Sequence, residues 1–304
     1  MATDIAIKPI ANTRIKTGWA IALASTLCFS LAPTLAGAAI DLGITPTVLL
    51  FLRLTITTAL LVLTILATKP ALLRIDRKGL IVCLLGGLSN GIGMLAFFWS
   101  LTRIHSSIAS MLFSVSPLVT LLLLALRGEK FTYRNTIRVA LGLIGIYLLI
   151  GPGGQVDTIG VLLAAVSVFT VPFMTVLMQW YLSEHDPRPV TLYTVGAMAL
   201  VVSVYWLWEG APQPAITAQG WILIIALAVV TTYVARLLLV MGIQHIGSGQ
   251  VGLLAPVETL LTVIWSVTFL SERLTPIQLV GGSLIILSAI LAVRRLGRVN
   301  WRKR

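Results

Sequence analysis

The sequence predicts an all-α integral membrane protein with ten transmembrane helices, arranged as two inverted five-helix repeats. Three observations carry this expectation. Of 304 residues, 58% are hydrophobic and only 11% charged, whereas a soluble domain carries about 25% charged residues. Ten apolar stretches of near-membrane length lie between helix breakers, and a hydrocarbon core of about 30 Å takes roughly 20 residues per helix. Finally, one phrase occurs twice: Gly128-Glu129-Lys130-Phe131-Thr132 returns as Ser271-Glu272-Arg273-Leu274-Thr275, each time between two apolar runs.

The stretches fall at 18–40, 46–68, 79–101, 106–126, 135–151, 159–181, 190–208, 219–242, 248–270 and 276–296. Asp41, Gly43 and Pro46 separate the first two, Gly151-Pro152-Gly153-Gly154 separates the halves, and Pro187, Pro189, Pro212 and Pro214 mark further loops. Ala36-Gly37-Ala38-Ala39 has the look of a signal-peptidase site, but the run before it is long for a signal peptide and has a counterpart in the second half, so it is read as a transmembrane helix. Residues 1–17 are then a cytoplasmic N-terminal segment, 18–151 the first repeat, 152–158 a linker, 159–296 the second repeat and 297–304 a basic cytoplasmic tail.

The basic residues test this count. With the N-terminus inside, 18 Lys and Arg fall in inside segments, and only Arg103 and Arg273 fall outside. That asymmetry follows the positive-inside rule and predicts that both termini are cytoplasmic; the expected location is a plasma membrane of the bacterial inner-membrane kind. The net charge of +12 sits at helix ends rather than on one face, which excludes a nucleic-acid partner. Cys28 and Cys83 lie inside apolar runs with no metal-ligand spacing, so neither a metal nor another cofactor is expected.

Shifting the second half back by about 142 residues aligns Gly160 with Gly18, Ser167 with Ser25, Ser248 with Ser106 and, after one extra residue, Glu272 with Glu129. Five spans per unit is an odd number, so the second unit enters from the opposite side. Inverted repeats of this kind underlie alternating access in secondary transporters.

Phe51-Leu52-Arg53, the stretch from Ser116-Pro117 to Gly128-Glu129-Lys130, and the stretch from Pro256-Val257-Glu258 to Ser271-Glu272-Arg273-Leu274 together resemble the EamA-type transporters of the drug/metabolite transporter superfamily, over nearly the whole chain. That family often carries proline directly after the ninth-span glutamate; here Thr259 stands there, with Pro256 about one turn earlier. The resemblance implies gradient-driven movement of small organic metabolites, mostly export. It also implies a central cavity between spans 1–4 and 6–9, with spans 5 and 10 peripheral.

Ionisable groups inside a membrane are costly and need a reason. Arg53, Arg236 and Glu258 are the ones placed within spans. Arg236 can anchor a carboxylate or phosphate through its planar, permanently charged fork, and Glu258 can carry protons; alternatively the two form a structural ion pair between helices. Arg53 is read as structural, either snorkelling to the interface or bonding carbonyls freed at a helix break. Asn90 in span 3, beside the small-residue pair Gly87 and Gly91, is a further binding candidate. So are Tyr233, one turn from Arg236, and Trp265, two turns from Glu258. Pro33, Pro117, Pro172 and Pro256 are candidate bends or hinges. His105, His185 and His245 lie near span ends and stay outside the candidate site. Glu129 and Glu272 are read as structural marks of the repeat.

The expected function is secondary transport of small polar organic metabolites, amino acids or related compounds and drugs among them, with protons as a candidate coupling ion. An importer of a vitamin or nucleotide-like compound is the alternative, and a non-transporting scaffold or sensor a remote one. The spans carry no catalytic pair, which argues against an enzyme. Oligomeric state is not legible.

Overall fold

The computed structural model describes residues 7–116, 118–119, 133–150, 156–181, 185–246, 251 and 254–296. Glu129 and Pro117 lie outside them. All regular elements among the described residues are helical. We label the spans α1 (Ile7–Ser30, continuing after Leu31 as Ala32–Asp41), α2 (Pro46–Thr68), α3 (Arg77–Ser100), α4 (Ser106–Phe113), α5 (Tyr133–Ile150), α6 (Thr158–Tyr181), α7 (Pro187–Trp208), α8 (Ala218–Ala228, a π-helix at Val229–Val234, then Ala235–Ile246), α9 (Ala255–Phe269) and α10 (Pro276–Leu296). Leu63, Leu143, Leu162, Phe169, Leu207 and Ile222 are large apolar side chains that remain well exposed. In a soluble protein such a surface would aggregate; here it faces lipid.

Local chemistry sets the helix ends. Gly43 takes the left-handed conformation between α1 and α2, and the Thr45 side chain accepts from the Val48 N–H to cap α2. Helix α1 starts earlier than its apolar run, at Ile7. Helix α7 starts at Pro187, inside the stretch expected to be loop: proline is tolerated in a first turn because the N–H it lacks has no intrahelical partner there. Asp76 caps α3 by accepting from the Gly79 N–H and lies 2.7 Å from His185 Nε2. His185, with the Gly79 N–H, holds the Asp76 carboxyl below the usual carboxylate range. Its folded value is thus lower than its unfolded value of about 3.9. The stabilisation is complete above the unfolded value and lost as pH falls through the folded one. Asp76→Asn is expected to flatten the acid limb of a melting-temperature profile taken from about pH 7 to about pH 3.

The packing has the two-fold character that the repeat demands. Helix α1 packs on α8 and α9, while α6 packs on α3 and α4; α2 meets α7, α4 meets α9 and α5 meets α10. Exchanging the repeats maps this set of contacts onto itself. Close approaches repeat the pattern at residue level. A methyl group on Gly18 would collide with His245 and Ile246, and one on Gly160 with Arg103 and Ile104. These are the same contacts under the shift of about 142 residues. Gly87 and Gly91 of α3 likewise admit α7: an added Cβ would lie 2.6 Å from the Thr194 carbonyl oxygen and 3.1 Å from the Met198 Cα. That is the small-residue contact by which membrane helices approach closely.

Helices α5 and α10 touch backbone to backbone. A Cβ on Gly281 would sit 2.6 Å from the Leu149 nitrogen and 2.7 Å from the Gly145 oxygen. Neither atom can rotate away, so Gly281→Ala is expected to destabilise the protein by about 1–3 kcal/mol, visible as a lower melting temperature in detergent.

Candidate functional site

One face of the bundle holds the α2–α3 and α6–α7 junctions and the end of α8; the other holds the α1–α2, α3–α4, α7–α8 and α9–α10 junctions. A cavity of about 350 Å³ lies between α1–α4 and α6–α9. Its wall reaches Val190, Ile243 and Val251, close to helix ends on the first face; towards the second it reaches the buried Phe98, two residues before the end of α3.

Arg236, Glu258 and Asn90 line this cavity, as does Arg53. Arg236 and Glu258 are only half-buried although they lie mid-bundle, because their free surface faces the cavity. The two do not form an ion pair. No Arg236 nitrogen lies within 4.0 Å of a Glu258 oxygen, and neither side chain has a hydrogen-bond partner among the described residues. The ionic lock between helices that the sequence allowed is therefore not formed. Asn90 is buried, and its amide nitrogen donates to the Met198 sulfur at 3.4 Å.

Arg53 is 2% exposed. Its Nε donates to Thr232 Oγ1 at 2.5 Å, and its Nη2 donates to Thr231 Oγ1 at 2.9 Å and to the Thr231 carbonyl at 3.4 Å. Both threonines belong to the π-helix, where the widened turn displaces backbone carbonyls from their usual partners. Threonine hydroxyls absorb the mismatch: Thr231 and Thr232 both donate to the Leu227 carbonyl, and Thr57 of α2 donates to that of Ala228. The guanidinium also stands 5.3 Å from the centre of the Phe98 ring. Arg53 thus fastens α2 to the irregular part of α8, immediately before Arg236.

Tyr233 and Trp265 do not line the cavity. The Tyr233 hydroxyl pairs with Thr64 of α2 at 2.7 Å. Trp265 donates to Ser30 Oγ at 3.1 Å and stacks on Phe269, in the seam between α1 and α9. The helix expectation failed at Tyr233 because the π-turn changes the phase between it and Arg236. Trp265 lies about 10 Å along α9 from Glu258, beyond the end of the cavity at Thr262.

The prolines divide. Pro33 lines the cavity just after α1 breaks at Leu31, and the carbonyl of Ser30 at that break accepts from Thr262. Pro172 is buried inside the continuous helix α6. Pro256 sits in the first turn of α9 rather than mid-helix and is not part of the wall.

At the second face, an acid that sequence reading set aside joins two helices. Glu272 is buried at the exit of α9. Its carboxylate accepts from the N–H and hydroxyl of Ser106 at 2.9 and 2.6 Å, and from those of Ser107 at 3.1 and 2.5 Å. It thereby caps the first turn of α4 across the repeat boundary, where orphan amides and the helix dipole favour an anion. Ser266 extends the contact, pairing with both Ser106 and Thr34 at 3.0 Å. Ser271, just before Glu272, holds a left-handed φ of 52°; the other copy of the phrase has Gly128 there. The duplicated phrase was the signal for this contact.

Comparisons with known proteins agree with this architecture. An uncharacterized transporter of Archaeoglobus fulgidus is 26% identical over 67% of this chain and 73% of its own length. The threonine/homoserine exporter RhtA of Escherichia coli K12 is 26% identical over 76% of this chain and 78% of its own. The pseudopaline exporter CntI of Pseudomonas aeruginosa is 22% identical over 92% and 97%. A solved crystal structure shares the fold at a TM-score of 0.68, with 20% identity, covering 92% of this chain and 99% of that one. The profile of the EamA-like transporter family matches twice, over residues 16–151 and 158–294. The chain therefore belongs to the EamA-like transporter family and is a membrane transporter, not an enzyme.

Proposed function

We propose that this protein is a secondary transporter that exports amino acids or closely related compounds by alternating access, with Arg236 and Glu258 anchoring the substrate. The observation that carries this reading is that both side chains line one cavity and neither has a hydrogen-bond or ion-pair partner among the described residues. Unpaired opposite charges inside a bundle invite a ligand that completes both: a carboxylate for the Arg236 fork and an ammonium for Glu258. The relatives named as exporters of threonine and homoserine and of pseudopaline support export of metabolites of this size.

The positive-inside bias supports a cytoplasmic location for Val190, Ile243 and Val251 and for both termini, and we assign the protein to a bacterial inner membrane. Loading from that side suits export. Glu258 is the sole carboxylate among the described lining residues, which makes it the group to carry a coupled proton. The repeats are assigned to 18–151 and 159–296, joined by 152–158.

Flux tests the reading. Purified protein in liposomes carrying a proton gradient should move radiolabelled neutral or acidic amino acids. Their decarboxylated amines should compete poorly. Equal competition by amino acid and amine would remove Arg236 from the substrate site.

A further inference from the structure

Three charged residues line the cavity among those described: Arg53, Arg236 and Glu258. Their sum is one positive charge when Glu258 is ionised and two when it is protonated. In both cases the empty cavity holds excess positive charge inside the membrane, where an uncompensated charge is costly. A neutral zwitterion leaves that excess in place; a lysine-like cation increases it.

Arg53 also has an unused hydrogen-bond donor. Its Nε and Nη2 are committed to α8, but Nη1 is buried and has no hydrogen-bond partner among the described residues. Ser110 and Thr191, on α4 and α7, also line the cavity, and their buried hydroxyls have no partner among the described residues. Buried donors left unpaired cost stability, and native structures keep them where a ligand or function accounts for them.

We infer that Arg53 Nη1 is a second anion subsite, and that the preferred substrate is an amino compound with two carboxylates and net charge −1. One carboxylate binds Arg236, the ammonium binds Glu258, and the second carboxylate accepts from Arg53 Nη1. The ligand then cancels the excess of the cavity with Glu258 ionised. This rests on the reading of Arg236 and Glu258 as substrate anchors, and adds a specificity determinant to it.

The test compares near-isosteric ligands on the full-length wild-type protein, by ligand-dependent melting in nanodiscs at fixed pH. Aspartate and asparagine form one pair and glutamate and glutamine another; 2-aminoadipate and its side-chain amide form the third. At least one acid should bind about 10-fold or more tightly than its amide, since a close charge pair at a buried site contributes well over 1 kcal/mol. Succinate and glutarate, which lack the ammonium, should bind more weakly than the amino acids. Arg53→Gln should erase the preference of the protein for the acid over its amide. If that variant does not fold, the wild-type pairs still decide. Amides that bind as well as their acids in all three pairs overturn the second subsite. If that binding is also lost in Arg236→Gln, the amino-acid reading itself survives. Absence of binding by all six compounds overturns both.

Discussion

Arg236→Gln is expected to abolish amino-acid transport while leaving the protein at least as stable as the wild type. The two halves of that result share one cause. Arg236 makes no hydrogen bond or ion pair with the described residues, so no internal contact is lost. Removing an unpaired charge from the bundle interior relieves a desolvation cost. The substrate, however, loses a charge-assisted, two-pronged partner worth about 2–5 kcal/mol, which corresponds to a loss of affinity of about 30-fold or more. Arg236→Lys should fall between the two, because an ammonium keeps the charge but not the fork. Melting curves and flux in liposomes read the two halves separately. A variant that melts well below the wild type would show Arg236 to be a structural residue, contrary to its unpartnered position.

Glu272→Gln should behave in the opposite way. Here the side chain is fully engaged, with four donors converging on two oxygens. An amide keeps one acceptor oxygen but turns an NH₂ towards the N–H and hydroxyl of Ser107. Breaking a buried, charged network of this kind costs about 3–5 kcal/mol. The cost applies to the arrangement in which the second face is closed, so the substitution should also favour opening of that face. A cysteine at Ala32, in a background without Cys28 and Cys83, should react faster with a membrane-impermeant thiol reagent applied from the Glu272 side. Unchanged melting and labelling would mean that the contact does not hold the face shut.

Much of this was legible in the sequence because membranes simplify the code. Apolar length alone located the helices, and Pro46–Thr68 and Pro276–Leu296 end where the composition says they should. The odd span count and the echoed glutamates gave the inverted repeat. Arg236, Glu258 and Asn90 were recognisable because polar groups are expensive in lipid and must face something better. What failed was orientation. The turn-by-turn argument that set Tyr233 beside Arg236 assumes an unbroken α-helix, and the π-helix at Val229–Val234 breaks that assumption. Nothing in Val-Val-Thr-Thr-Tyr-Val announces a π-turn; it becomes intelligible only with Arg53 and Thr57 across the interface. Ser110 and Thr191 were also missed, since single hydroxyl residues are common in apolar helices and usually satisfied by their own backbone. Glu272 was read as a helix-end residue, which it is; its burial against another helix follows only from the tertiary fold.

The matching glycine contacts of α1 with α8 and of α6 with α3 have the geometry of a homodimer interface, in which each surface meets its own counterpart. A true homodimer of one repeat would have to present every side chain twice. The single chain escapes that rule. Under the same shift, Arg236 corresponds to Met94 and Arg53 to Val195. Met94 lines the cavity opposite a charge it does not duplicate, and Val195 is buried in the apolar core. The two repeats thus keep a symmetric frame of helix contacts. The centre departs from that symmetry, and under the proposed function such a departure lets a molecule that is acidic at one end and basic at the other find one complementary orientation there.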